Sequence, residues 1–291
     1  TTLFRSTIEI DGRKYIVGTN HGLFSAEELE GPWARISDKE EFIQSFPSYD
    51  CRCCLINNYQ GSFGNQLDRY SYFLGTDKGL FGLDNSTDYN YWHKIASSRI
   101  GTLKINSLAI DKVDKKVLIG ADTGIYYVRE DNDADREKRG FGYKVNDIEF
   151  LENSDLIAKK QNVLIGTSDG IKQSTTEYFP KNLTQLSAFS SGISINDIEV
   201  VLDTDVKELI IATTKGLYKF RIELNGTKTL TLFDATADKN ITEVAVDSNH
   251  FYAYYVESSK LHGIDIQSFI STPFDVSNVT ANHVERFNNL I

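Results

Sequence analysis

The chain has 291 residues, of which 40% are hydrophobic, 12% aromatic and 25% charged, a globular composition that excludes a disordered or fibrous protein. Its 31 Lys and Arg stand against 41 Asp and Glu, and a net charge of −10 argues against a general nucleic-acid or anionic-membrane surface. No apolar run reaches the ~18 residues of a membrane span, so no membrane insertion is expected in this segment.

In chain order, STIEID at 6–11 predicts a short strand, and YIVGTNHGLF at 15–24 predicts two strands around a tight turn. The charged stretch DKEEFIQSFPS at 38–48 reads as a connection that includes a short helix. CRCCLI at 51–56 is a strand carrying Cys51, Cys53 and Cys54. Three thiols within four residues make neither a disulfide framework nor a zinc site. They read as free thiols on a buried strand, which favours a reducing compartment over a mature secreted or virion chain. The strings YFLGTDKGLF, VLIGADTGIY, VLIGTSDGIK and LIIATTKGLY then repeat the strand–turn–strand pattern of 15–24. Its small residue falls at Gly18, Gly75, Gly120, Gly166 and Ala212, and a worn sixth copy lies at 253–265. Upstream of four of these copies stand INSLAID at 105, VNDIEF at 145, INDIEV at 195 and ITEVAVD at 241. Downstream, segments such as WARIS, WHKIA and LTQLS supply a fourth strand.

Four strands per unit of ~45 residues is the pattern of a β-propeller blade. The expected fold is therefore all-β, a single propeller domain over 1–291 with six blades, seven being the alternative. The blades are placed at about 4–37, 50–96, 105–144, 145–187, 195–234 and 241–278, with 279–291 as a closing strand or the start of a further blade. The chain begins at Thr1 and contains no methionine, which together with that tail leads us to expect a segment of a longer protein.

VLIGTSDGIKQST followed by LTQLSAFSSGISINDIEV, NSTDYNYWHKI at 85–95 and SAEELEGPWARIS at 25–37 resemble the BNR or Asp-box propeller repeat of sialidases, sortilin-type receptors and xyloglucanases. Ser86, Asp88 and Trp92 approximate the Asp-box turn one residue short, and Trp33 holds a comparable place. The Gly-Thr-x-x-Gly-Leu strings are also similar to repeats of two-component-regulator propellers. These resemblances imply architecture rather than one activity.

Sialidase chemistry, as the resemblance implies it, needs an arginine triad, and the arginines here are scattered outside any Arg-Ile-Pro context. Asp77, Asp122 and Asp169, with His21, sit on turns expected to rim the channel. Their spacing follows the repeat, so turn chemistry explains the aspartates better than a converging carboxylate pair. The run EDNDADREKRG at 130–140 places Arg136 where a calcium loop needs Gly, and it reads as a solvated loop. No Walker A, HExxH or Gly-x-Ser-x-Gly string occurs. No catalytic residue, metal or cofactor is expected.

The long loops at 57–69, 130–140 and 152–161 fall on one face of adjacent blades. Loops on a rigid scaffold commonly carry binding function. Tyr59, Phe63 and Arg69 are the expected anchors for a protein partner, because aromatic and Arg side chains dominate interface energetics. The expected function is a non-enzymatic interaction or scaffold module of a larger receptor, sensor or assembly, a virion or tail component included. A carbohydrate-binding propeller or divergent glycosidase is the alternative.

Overall fold

The computed structural model describes residues 8–11, 14–19, 22–26, 32, 34–35, 51–57, 66–84, 91–95, 100–111, 116–129, 142–151, 162–175, 183–186, 189, 192–203, 206–246, 252–267 and 274–280. The chain divides into two compact units, Thr1–Val145 and Asn146–Ile291.

All sheets are antiparallel meanders, each strand pairing with the next in sequence. The first sheet holds β1 (Ile8–Asp11), β2 (Lys14–Thr19), β3 (Gly22–Ala26) and β4 (Ala34–Arg35). The second holds β5 (Cys51–Ile56), β6 (Tyr70–Thr76), β7 (Gly79–Asp84) and β8 (Tyr91–Ile95). The third has three strands among the described residues: β9 (Ile105–Asp111), β10 (Lys116–Ala121) and β11 (Gly124–Val128). The fourth comprises β12 (Val145–Leu151), β13 (Asn162–Thr167), β14 (Gly170–Thr175) and β15 (Thr184–Gln185). The fifth comprises β16 (Ile195–Asp203), β17 (Lys207–Thr213), β18 (Gly216–Ile222) and β19 (Lys228–Leu232). The sixth comprises β20 (Ile241–Val246), β21 (Tyr252–Glu257), β22 (Lys260–Asp265) and β23 (Phe274–Thr280). Four strands per repeat were expected in the third as well, where residues 130–141 lie outside the described ones.

The second strands have an apolar centre because both faces are covered there, and every residue of β10, Lys116 included, is buried. The cores accordingly lie between consecutive sheets. Tyr70, Phe73 and Ile95 of the second sheet pack with Ile105, Val117 and Ile119 of the third. Leu164 and Ile171 of the fourth pack with Ile198, Leu209 and Phe220 of the fifth. Each such side chain contributes roughly 1.5–3 kcal/mol, so apolar burial supplies most of the cohesion. Close approach depends on the small residue of the repeat. A Cβ on Gly75 would lie 2.6 Å from Cγ2 of Ile105, and one on Gly166 would lie 2.9 Å from Cγ2 of Ile195.

The Thr-x-x-Gly string builds one turn three times over. The hydroxyl of Thr76 donates to the carbonyl of Gly79 at 2.9 Å and accepts from the Lys78 N–H at 3.0 Å. Thr167 and Thr213 repeat this with Gly170 and Asp169, and with Gly216 and Lys215. Gly216 has φ 127°, and a Cβ there would meet the Thr236 carbonyl oxygen at 2.8 Å. The sixth sheet departs from the pattern. Its two-residue hairpin joins Glu257 to Lys260 through Ser258 and Ser259, at φ 50° and 63°. Left-handed backbone is strained for any residue with a Cβ.

Replacing Gly216 by Ala should cost at least about 2 kcal/mol, because the strained dihedral and the carbonyl overlap act together. Ser259→Gly should instead stabilise by about 0.5–1 kcal/mol, since the hairpin needs a positive φ there. Urea unfolding of the two variants checks both signs.

Candidate functional site

The first strand of each sheet has a ladder partner on one side only. Alternate main-chain groups on its open edge must find other partners, because unpaired buried N–H and C=O groups are costly. Four of these strands, β5, β9, β16 and β20, also carry a bulge at their second residue. Cys51 and Cys53 pair with Thr76 and Gly75, leaving Arg52 as the extra residue. The same irregularity leaves Asn106, Asn196 and Thr242 as extra residues in β9, β16 and β20. A bulge re-aims its side chain and bends the strand.

The asparagines among them, with Asn146 at the same place on β12, serve the open edge of the following sheet. Within the first unit, Nδ2 of Asn106 donates to the Val145 carbonyl at 2.9 Å, and its Oδ1 accepts from Nε of Arg52 at 3.1 Å. Within the second unit, Nδ2 of Asn146 donates to the Ile195 carbonyl, and Nδ2 of Asn196 to the Ile241 carbonyl, each at 2.7 Å. The next residue answers the complementary need. Oδ2 of Asp147 accepts from the Ile198 N–H at 3.0 Å, and Oδ2 of Asp197 accepts from the Val244 N–H at 2.8 Å. An Asn–Asp pair on one strand thus satisfies one acceptor and one donor on the next.

This arrangement gathers carboxylates. Asp197 is half-buried, and its carboxyl is held well above the ordinary aspartate range. Burial is the largest cause, followed by the charges of Glu243 and Asp147, with Glu199 adding a smaller repulsion. The hydrogen bond from Val244 opposes the shift without cancelling it. Among the described residues no cluster of three or more His, Cys, Asp or Glu side chains has the geometry of a metal site.

Of the aspartates expected at a channel rim, Asp77 pairs within its own turn, while Asp122 and Asp169 also bond segments outside theirs. Asp77 is 3.7 Å from the ammonium of adjacent Lys78. Oδ1 of Asp122 accepts from Asn106 at 2.9 Å, which joins that turn to the row just described. Asp169 accepts from the Gly192 N–H at 3.2 Å and from the Lys172 ammonium at 3.3 Å, while Lys172 also bonds Gln185. His21 lies outside the described residues.

Of the expected partner anchors, Tyr59 and Phe63 also lie outside the described residues. Arg69 sits at the foot of their loop. Its Nε is 3.2 Å from Oδ2 of buried Asp84, its Nη2 donates to the Tyr70 hydroxyl, and its guanidinium lies 4.9 Å from the Tyr70 ring centre. Nδ2 of buried Asn57 donates to the carbonyls of Leu67 and Tyr70, fastening both ends of the loop. The three thiols lie on β5 as expected, Cys51 and Cys54 buried and Cys53 half-buried. Of the Asp-box-like residues, Trp92 is buried on β8, and Ser86, Asp88 and Trp33 lie outside the described residues.

Sequence reading passed over Asn106, Asn146, Asn196, Asp147 and Asp197 as site residues. A signal was present: polar residues at the second and third places of INSLAID, VNDIEF and INDIEV interrupt strands that are otherwise apolar or alternating.

No protein-family description matches the sequence, and no curated protein matches it. The fold is similar to solved β-propeller structures. The extracellular domain of the one-component system BT4673 from B. thetaiotaomicron superposes with a TM-score of 0.62 at 16% identity, over 97% of this chain and 35% of that one. The β-propeller domain of Myceliophteria thermophila Cps50 (Swd1) gives 0.64 at 10% identity, over 98% and 91%. U3-55K gives 0.63 at 11% identity, over 98% and 86%. The chain therefore has a β-propeller fold, and it spans about a third of the BT4673 structure.

Asn196→Ala should destabilise by about 1–3 kcal/mol, because the Ile241 carbonyl loses its donor. Asn225→Ala, in an exposed hairpin, should change stability by less than about 1 kcal/mol. Thermal unfolding of the two variants side by side tests whether the row carries the difference.

Proposed function

We propose that this chain is a non-enzymatic interaction module, one propeller of a larger sensor, receptor or assembly. The reading includes one ring built from the whole chain, with six blades. The observation that supports it best is the match of almost the whole chain to about a third of a sensor's extracellular domain, where such a fold is one part of a longer protein. The loops at 57–69, 130–140 and 152–161 form the partner surface in this reading, with Tyr59, Phe63 and Arg69 as anchors. The bonding of Asn57 and Arg69 favours it, because a loop fastened at both ends loses less conformational freedom on binding. The Asp-box-like segments belong to the same reading as worn blade turns without hydrolytic chemistry.

The test is co-purification of the protein from its native source, comparing wild type with the Tyr59→Ala/Phe63→Ala double variant. Arg69 is left in place because its ion pair with Asp84 also supports the fold. The variant should lose at least about tenfold in affinity for the stoichiometric partner at an unchanged melting temperature. Undiminished partner binding would overturn the assignment of this surface. A glycan-array hit that the protein also hydrolyses would overturn the non-enzymatic reading.

A further inference from the structure

The last strand of each four-stranded sheet is open on its outer side among the described residues. Edges of this kind are commonly blunted by shortness, irregularity or charge. β4 and β15 are two residues long, β23 pairs with a register shift, and β8 carries His93 beside Lys94. β19 is less defended. It is five residues long, KTLTL, runs in unbroken register with β18 and holds one charge, Lys228, at its first place.

The direction of its main-chain groups is fixed at both ends. The Glu223 N–H donates to the Thr227 carbonyl at 2.8 Å, and the Phe233 N–H donates to the Leu217 carbonyl at 3.0 Å. Bonded and non-bonded pairs alternate along an antiparallel ladder, so Thr229 and Thr231 bond β18 opposite Arg221 and Lys219. Lys228, Leu230 and Leu232 therefore turn their N–H and C=O groups outward, where no described residue hydrogen-bonds them. The hairpin that leads into β19 carries Leu224 at its tip, 77% exposed.

We propose that β19 pairs antiparallel with β19 of a second copy of this chain, joining two fifth sheets across a two-fold axis at Leu230. The strand is its own complement in that register. Leu230 faces Leu230 of the other copy, Thr229 faces Thr231, and Lys228 faces Leu232, so no like charges meet. A two-fold axis normal to the sheet keeps each side chain on the face it already occupies, and Leu230 stays packed against its own core. Charge favours the same register. Beyond Leu232 the strand gives way to the exposed Asp234, and Lys228 of the other copy arrives at that end. Symmetry makes this cation–carboxylate pair twice. The 224–226 tip of each copy then lies alongside the 234–236 turn of the other, which gives Leu224 a surface to cover. A five-residue pairing buries less than the roughly 1,200 Å² of a stable complex. The dimer is accordingly weak, with a dissociation constant on the order of micromolar.

The experiment is sedimentation equilibrium of the full chain from about 1 to about 300 μM, with amide exchange followed at both extremes. The wild type should pass from monomer to dimer. The amides of Lys228, Leu230 and Leu232 should gain about tenfold protection, while those of Thr229 and Thr231, already bonded to β18, change little. Leu230→Pro removes the central outward donor without removing a bond to β18. Thr229→Lys/Thr231→Lys sets lysines opposite one another across the axis. Each variant should weaken association at least about tenfold at an unchanged melting temperature. A chain that stays monomeric throughout would overturn the proposal, whether its edge stays bare or takes a strand of another protein. So would a dimer that both variants leave intact, or protection that does not alternate along β19. Should Leu230→Pro fail to fold, the threonine double variant decides alone.

Discussion

The structure depends on how the open edge of each first strand is satisfied. A four-stranded meander buries its middle strands with no polar cost, but its first strand presents a row of carbonyls and amides with no ladder partner. Here the preceding sheet supplies the missing groups from side chains: a carboxamide for the carbonyl and a carboxylate for the amide three residues later. Each bond contributes only about 0.5–1.5 kcal/mol net, less than the apolar burial between the same sheets. Leaving those groups unpaired would cost more, and they can be paired in one register only. Burial holds the sheets together, and the polar row decides how they align.

The bulge makes this possible. Without the extra residue at Arg52, Asn106, Asn196 and Thr242, strand alternation would keep that side chain in step with the apolar faces. With it, the side chains of Asn106 and Asn196 leave the core and reach the neighbouring edge. The same local event makes room for Ile105 and Ile195 against the bare glycines of the preceding second strands. Glycine at 75 and 166 and asparagine at 106 and 196 are thus parts of one packing solution, although they are far apart in sequence.

Much of this was legible before any coordinates. The strands at 51–56, 105–111, 145–150 and 195–200, the Thr-x-x-Gly turns and the β-propeller fold all follow from self-similarity at a fixed period, because one local physical solution repeats. Asp169 accepts from the Gly192 N–H, 23 residues on, a partner that its spacing in the repeat does not indicate. The seam residues were harder to see. Asn146 and Ile195 are 49 positions apart, and the acceptor is main chain, so no pattern of side chains marks it. The bulge at Asn196 is likewise invisible to a rule of strict alternation. Arg69 illustrates a different limit, since nothing in NNYQGSFGNQLDR announces that its charge is already engaged by Asp84, fifteen residues on.

The side-chain to main-chain ties between sheets run in one direction. The donor or acceptor side chain stands on the earlier repeat, and the main chain of the later repeat receives it. A receiving carbonyl or amide is the same group whatever residue carries it, so each such tie constrains sequence on one side only. Val145, Ile195 and Ile241 all receive an asparagine equally well. An array joined in this way tolerates drift in each repeat without a matching change in its successor. A copied repeat can be received wherever it is inserted, which gives gene duplication a joint that already fits.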